Sequence, residues 1–276
     1  MEIIKNRERK GYSFANINLL GKCNADCFFC LGKDIPELLS KHNQANTHFS
    51  EWKNFDKFLD KCRENGISKL YVTGQNMDSL QYKYLDELVE YLQPEFTIGI
   101  RTNGYLAKQN LDTIHKLNDE SGFSINSLTP QATYDIMGRR DIVDWDYVLS
   151  NVKNSRVSIV INKYNYNEFF DIIKLCSQYP NVKYVQARRI STDTRFEELK
   201  EHIEIYEKLY QEVKSNFKMI REFYTAEIYD IYGKEVCFWR TVETSVNSMN
   251  YFTDGTISGN YFVIEGYLGN YKVDNE

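Results

Sequence analysis

No stretch of the 276-residue chain approaches the roughly 18–20 consecutive apolar residues of a membrane span, and the opening MEIIKNRERKGYSF follows its basic residues with no apolar segment. Neither a transmembrane helix nor a signal peptide is expected, and the cytoplasm is the expected location. Positive charge is not in excess either. Thirty-four Lys and Arg face 39 Asp and Glu, a formal net charge of -5, which argues against nucleic acid as a partner. Long linkers, low-complexity tracts and short-period repeats are also missing. The 42% hydrophobic and 26% charged residues suit one large folded domain with, at most, a small appendage.

A disulfide framework is the next absence. Of six cysteines, Cys23, Cys27 and Cys30 fall within eight residues, while Cys62, Cys176 and Cys237 are scattered. In a chain without secretory features, a tight cluster of this kind reads as metal ligation or redox chemistry.

Apolar alternation marks strands at 13–20, 67–73, 96–102, 123–127, 156–162 and 182–190. Helical periodicity lies between them. One helix follows Ser50 as N-cap and stops at Gly66, another covers 79–92, and a third passes through Leu111, Ile114 and Leu117. Pro130 opens a short helix that ends near Gly138, 144–152 and 167–178 are helical, and a long charged helix covers 196–213. Strands alternating with helices predict an α/β fold with a mostly parallel sheet, either an incomplete barrel or a doubly wound open sheet. After Cys237 the segment SVNSMNYFTDGTISGNYFVI alternates on both sides of Asp254-Gly255. This predicts a small antiparallel hairpin closing one end of the domain.

The segment CNADCFFC leaves the first predicted strand directly. Three neighbouring thiolates suit zinc, with His42 or His48 completing a Cys3His site, or a 4Fe-4S cluster with one open iron. The spacing C-x3-C-x2-C, with Phe29 before the last cysteine, resembles the signature of the radical S-adenosylmethionine superfamily. That resemblance implies a partial (β/α)6 TIM-like barrel and one 4Fe-4S cluster on Cys23, Cys27 and Cys30. It also implies S-adenosylmethionine chelated to the open iron. Its reductive cleavage gives a 5'-deoxyadenosyl radical, which abstracts hydrogen from an unreactive carbon.

The resemblance also assigns cofactor-binding positions at strand ends, where parallel barrels carry their chemistry. Thr73-Gly74-Gln75-Asn76 stands where the family has a Gly-Gly-Glu type motif, so Gly74 and Gln75 are expected at the methionyl ammonium, with an amide replacing the acid. Arg101-Thr102-Asn103-Gly104 resembles the family's Thr-Asn-Gly turn, and Asn103 is expected at the ribose or substrate. Ser124 is expected at the methionyl carboxylate or ribose. Arg139 is expected to bind a carboxylate from the following helix, and Val185 and Ala187 to face the adenine.

The boundaries expected are an arm over 1–10, the barrel over 11–215 and a tail over 216–276. The tail resembles a cysteine-depleted SPASM or Twitch module, with Cys237, the Asp254-Gly255 turn and Tyr267-Leu268-Gly269-Asn270 in order, but Ser258-Gly259-Asn260 where a cysteine would stand. With no second ligand set, redox-neutral reactions are favoured, and Cys237 becomes a candidate hydrogen-atom donor. A peptide substrate is expected first, of the maturase or epimerase kind, then a small molecule such as a sugar or amino-acid derivative. A flavodoxin or ferredoxin would be the electron donor. No leader-peptide-binding segment is expected before the first strand, and a non-catalytic zinc-binding or adaptor protein is the rival class.

Overall fold

The computed structural model describes residues 12–192, 194–223, 226–240 and 247–259. Six strands, β1 (Phe14–Leu20), β2 (Lys69–Gln75), β3 (Thr97–Thr102), β4 (Ser121–Ser124), β5 (Ser155–Val160) and β6 (Val182–Arg188), pair in chain order. Every pair is parallel. The crossovers carry α1 (Pro36–Lys41), α2 (Phe55–Glu64), α3 (Leu85–Leu92), α4 (Leu111–Lys116), α5 (Pro130–Met137), α6 (Trp145–Asn151) and α7 (Phe169–Ser177), and α8 (Phe196–Asn216) follows β6. This is a partial TIM-like barrel. Among the described residues no helix is long and apolar enough to cross a membrane.

Local sequence explains most element ends. Thr129 accepts from the Ala132 amide with Pro130 at the first helical position, and Gly138 ends α5 in the left-handed region. Asp144 caps α6 through the Tyr147 amide. The helix expected to start after Ser50 begins at Phe55 instead. Residues 49–51 form a 3-10 turn capped by His48, and Asn54 takes a φ of 56° to re-aim the chain.

Strand alternation divides the molecule into an apolar outer layer and a polar interior. Ala15, Ile17 and Leu19 of β1 join the core beneath the helices, whereas Asn16 and Asn18 are buried on the other face. Asn16 donates to Asn250 Oδ1 at 2.8 Å, and Asn18 donates to the Tyr251 carbonyl at 3.2 Å.

The tail extends the sheet rather than closing one end of it. Strand β10 (Ser248–Phe252) adds in parallel to β1, and β11 (Ile257–Ser258) pairs antiparallel with β10 through the expected turn, with Gly255 at φ 103°. At the other edge, β7 (Lys218–Phe223), β8 (Ala226–Ile231) and β9 (Lys234–Trp239) form an antiparallel meander whose last strand joins β6 in parallel. An incomplete barrel has two open edges with unpaired backbone groups, and the tail satisfies both. The meander was not read from the sequence, because its turn is Tyr232-Gly233 rather than an Asn-Gly or Asp-Gly pair; both residues nonetheless take positive φ. The expected arm at 1–10, Asn260 and the segment 267–270 lie outside the described residues.

Candidate active site

The cysteine loop follows β1 at the C-terminal end of the barrel strands and is fixed almost wholly through its backbone. The amides of Asp26 and Phe28 donate to the carbonyls of Met137 (2.8 Å) and Ile136 (3.1 Å) at the end of α5. Arg195, just before α8, donates from Nη1 to the Phe28 carbonyl (2.7 Å) and from Nη2 to the Cys30 carbonyl (2.8 Å). Its Nε is held at 2.7 Å by Asp34, whose side chain is fully buried. Gln81 accepts from the Asn24 amide at 2.9 Å. The Phe28 ring packs on His202 at 4.4 Å and edge-on to Phe29 at 5.3 Å, seating the loop against α8.

Cys23, Cys27, Cys30 and Phe29 line a cavity of about 210 Å³ together with the ends of the strands. Gly74, Gln75, Asn103 and Ser124 contribute to its wall. Gly74 is obligatory here, since a Cβ would lie 1.6 Å from the Met77 carbonyl oxygen. Gln75 is buried and its amide faces Asn18 Oδ1 at 3.4 Å. Asn103 donates to Asn24 Oδ1 (2.7 Å) and contacts Cys23 Sγ (3.8 Å).

Burial pushes the Cys23 thiol up to about 12, with the Asp78 carboxylate adding to the effect. Burial also raises Cys27, reinforced by its two neighbouring thiols, and raises Cys30 against the opposing pull of local amides, Arg195 and Lys33. A metal group that binds all three as thiolates would have to displace their protons. Among the described residues no three His, Cys, Asp or Glu side chains gather around a point that could hold one metal ion. His48 is also engaged elsewhere, by Ser50 at 2.7 Å and Glu87 at 3.4 Å.

Three expected residues are placed differently. Val185 and Ala187 are fully buried in the core beneath the helices, while Gln186 and Arg188 occupy the interior face of β6. The period of two admits only one set inside, and the polar set faces in. Arg139 is not in the cavity wall. Its guanidinium forms a forked pair with Asp141 (2.9 and 2.6 Å), lies 4.1 Å above the Tyr105 ring and donates to the Asn24 carbonyl at 2.7 Å. It braces the loop, and the arginine lining the cavity from β6 is Arg188.

Other contributors were not singled out from the sequence. Buried Asp78 accepts from the Thr102 hydroxyl (2.8 Å) and from the amides of Asn103 (2.6 Å) and Leu80 (3.0 Å), tying the ends of β2 and β3 together and fixing Asn103. Its signal was present as the capping-box spacing Asp78-x-x-Gln81. Arg195 and Asp34 carry no comparable local signal. Cys237 lies on β9 opposite Gln186 and lines a second, larger cavity toward the N-terminal ends of the strands, and burial pushes its thiol up to about 11.

Comparison with known proteins agrees with this architecture. The chain is 24% identical over 206 residues to the GTP 3',8-cyclases of Clostridium perfringens strain 13 and strain SM101, a match covering 70% of this chain and 61% of theirs. Streptococcus suis SuiB bound to S-adenosylmethionine superposes with a TM-score of 0.64 at 13% identity, covering 93% of this chain and 62% of SuiB. SuiB bound to its precursor peptide SuiA superposes with a TM-score of 0.57 at 14% identity, over 92% of this chain and 61% of that one. The Radical SAM superfamily model matches residues 17–185, more than half the sequence, and the chain belongs to that superfamily.

Proposed function

We propose that this radical S-adenosylmethionine enzyme holds one 4Fe-4S cluster on Cys23, Cys27 and Cys30, binds S-adenosylmethionine in the adjoining cavity and removes a hydrogen atom from a peptide substrate. The observation that carries this reading is the single cavity shared by the three thiols and the C-terminal ends of β2, β3, β4 and β6. When bound, the cluster and S-adenosylmethionine supply a one-electron cleavage that generates an oxidant able to take hydrogen from an unactivated carbon. The chain's own groups orient and shield that chemistry. Asn103 holds the Cys23 side of the loop, Gln75 and Ser124 present uncharged hydrogen-bonding groups to the cofactor, and Arg188 brings positive charge to the wall from β6. Phe29 supplies an apolar wall that limits water.

A peptide is favoured by the likeness to SuiB, which spans nearly the whole chain and includes a structure with a precursor peptide. A small molecule is the second reading, supported by the weak similarity to GTP 3',8-cyclases. Burial keeps the Cys237 thiol protonated at neutral pH, as a hydrogen-atom donor requires. Cys237 lines the second cavity and not the thiol-lined one, so it can donate only to a substrate radical carbon that extends between the two, and the thiyl left behind would be restored by a proton and one electron from a flavodoxin or ferredoxin.

The test is anaerobic reconstitution followed by iron and sulfide assay and measurement of 5'-deoxyadenosine under dithionite. The expected outcome is about four irons per chain and 5'-deoxyadenosine that disappears when Cys23, Cys27 and Cys30 are replaced by Ala. A colourless protein holding one zinc, with no 5'-deoxyadenosine, would instead identify the non-catalytic adaptor.

A further inference from the structure

The second cavity, about 360 Å³, lies in the barrel interior toward the N-terminal ends of the strands, and aromatic rings line it from both sides. Phe14 and Tyr71 come from β1 and β2, Tyr184 from β6, and Phe223 and Trp239 from β7 and β9. In the sheet, β3 to β6 stand between β2 and β9, so only its curl brings these rings to one space. Phe14 and Tyr71 meet edge-on at 5.5 Å, and Phe223 stacks on Trp239 at 6.5 Å. Both spacings are those that aromatic pairs favour.

The rings are held in place. Tyr71 donates to Asp119 at 3.1 Å, and its ring fills space that Gly99 leaves open, where a Cβ would stand 2.7 Å away. Tyr184 donates to Glu120 at 3.2 Å, and Glu120 in turn accepts from Arg156 Nε at 2.8 Å. Arg156 lies flat against β4 because residue 122 is glycine, where a Cβ would be 3.0 Å from the guanidinium carbon. Trp239 packs on the buried cluster of Ala226, Ile228 and Cys237. Yet the rings are not fully covered: Phe14, Tyr184 and Trp239 are half-buried, and Phe223 is 43% exposed. Apolar rings left open to water around one cavity mark a place that a ligand covers. The thiol-lined cavity differs, being about 210 Å³ with Thr73, Gln75, Asn103, Ser124 and Asn126 in its wall. Arg101 and Arg156 line both, so the two cavities adjoin.

We propose that the second cavity is the specificity pocket of the substrate site: a planar aromatic side chain of the substrate enters among these rings, and the carbons that carry it lie where the two cavities adjoin, facing the thiols. This deepens the proposed function and rests on it for the reason a substrate enters the barrel. The volume is near the small end of ligand sites, about 300–1,000 Å³, and suits one ring with its neighbouring carbons rather than a length of peptide. Edge-on and offset contacts favour an aromatic ring over a saturated one of equal size. The ring can arrive as a peptide residue or as a free aromatic amino acid, and the probes separate these sources.

Thermal melting of the reconstituted enzyme would be followed in N-acetylphenylalaninamide, in its saturated counterpart N-acetylcyclohexylalaninamide and in free phenylalanine. The expected result is a midpoint about 2–4 °C higher in the aromatic amide than in the saturated one, abolished in Trp239→Ala. A shift in free phenylalanine alone would assign the same pocket to a free aromatic amino acid. No shift in either aromatic probe, an equal shift in the saturated amide, or a shift that survives Trp239→Ala would overturn the proposal. Should Trp239→Ala fail to fold, iodoacetamide labelling of Cys237 in the wild type, resolved by peptide mass, supplies the second readout. Labelling slows in the aromatic probe and not in the saturated amide if the ring occupies this cavity, and equal rates overturn it. The 5'-deoxyadenosine yield of the same samples keeps the two ideas separate. A ring-specific shift without 5'-deoxyadenosine would sink the proposed function and leave the aromatic pocket standing, and the reverse result would do the opposite.

Discussion

The two ends of the barrel interior are lined by the same strands yet held by different means. At the C-terminal end the thiols ride on a loop whose backbone is gripped by α5, by Gln81 and by Arg195, and the side chains facing the cavity from β2 and β4 are uncharged. At the N-terminal end the wall is charged, and the charges are carried by rigid strands in spaces that Gly99 and Gly122 leave open. The comparison shows that the cysteine loop depends on distant clamps, whereas a charged wall can be specified strand by strand.

The sharpest way to break the upper end is Arg195→Ala. It removes two bonds to the loop and the ion pair to Asp34, whose buried carboxylate keeps the Thr192 hydroxyl at 3.0 Å, so a loss of about 3 kcal/mol is expected by chemical denaturation, together with a lower iron content after reconstitution. Retention of iron and stability would show that α5 and Gln81 suffice as clamps.

Ionisation distinguishes the two ends in a graded way. Cys23 is pushed up to about 12 and Cys237 to about 11, from an ordinary value of 9. A thiol whose pKa is raised on folding contributes stability that is fully present below its unfolded value and is lost as pH climbs through the folded one. The denaturation midpoint of the apoprotein is therefore expected to hold steady up to about pH 8.5 and to fall between pH 9 and 12. Cluster loading, which fixes the upper thiols as thiolates, should remove their share of that fall and leave the part due to Cys237 and the other buried thiols, Cys62 and Cys176. A fall unchanged by loading would contradict the ligand assignment.

Arg139→Ala should have the smallest effect. Its partner Asp141 is exposed, and such pairs contribute about 0–1 kcal/mol. Losing the bond to the Asn24 carbonyl should slightly lower cluster retention while leaving the KM for S-adenosylmethionine unchanged. A KM that rises severalfold would return Arg139 to the carboxylate-binding role that its place in the sequence suggests.

Much of the molecule was legible in one dimension because the signals are local. The six barrel strands follow from alternation, the stop of α5 from Gly138, the tail hairpin from Asp254-Gly255 and the cysteine loop from three cysteines in eight residues. Gly74, Gln75, Asn103 and Ser124 reach the thiol-lined cavity because they sit at strand ends, where parallel order alone brings them together. The facing of β6 was not legible. Val185 with Ala187 and Gln186 with Arg188 both alternate, and apolar character suggested an adenine wall where the helices required a core.

The sequence by itself determined the chemistry on offer: soft ligands at a fixed spacing, a parallel α/β framework and an acidic chain without an extended basic surface. Only the tertiary structure decided which groups meet. Arg195 reaches Cys30 across 165 residues, and Arg139 reaches Asn24 across 115. Arg101 and Arg156 come to share one wall through pairing of β3 with β4 and β4 with β5. Those meetings are set by strand register and by the packing of helices on the outer face, which couple residues through space and leave no local pattern in the chain.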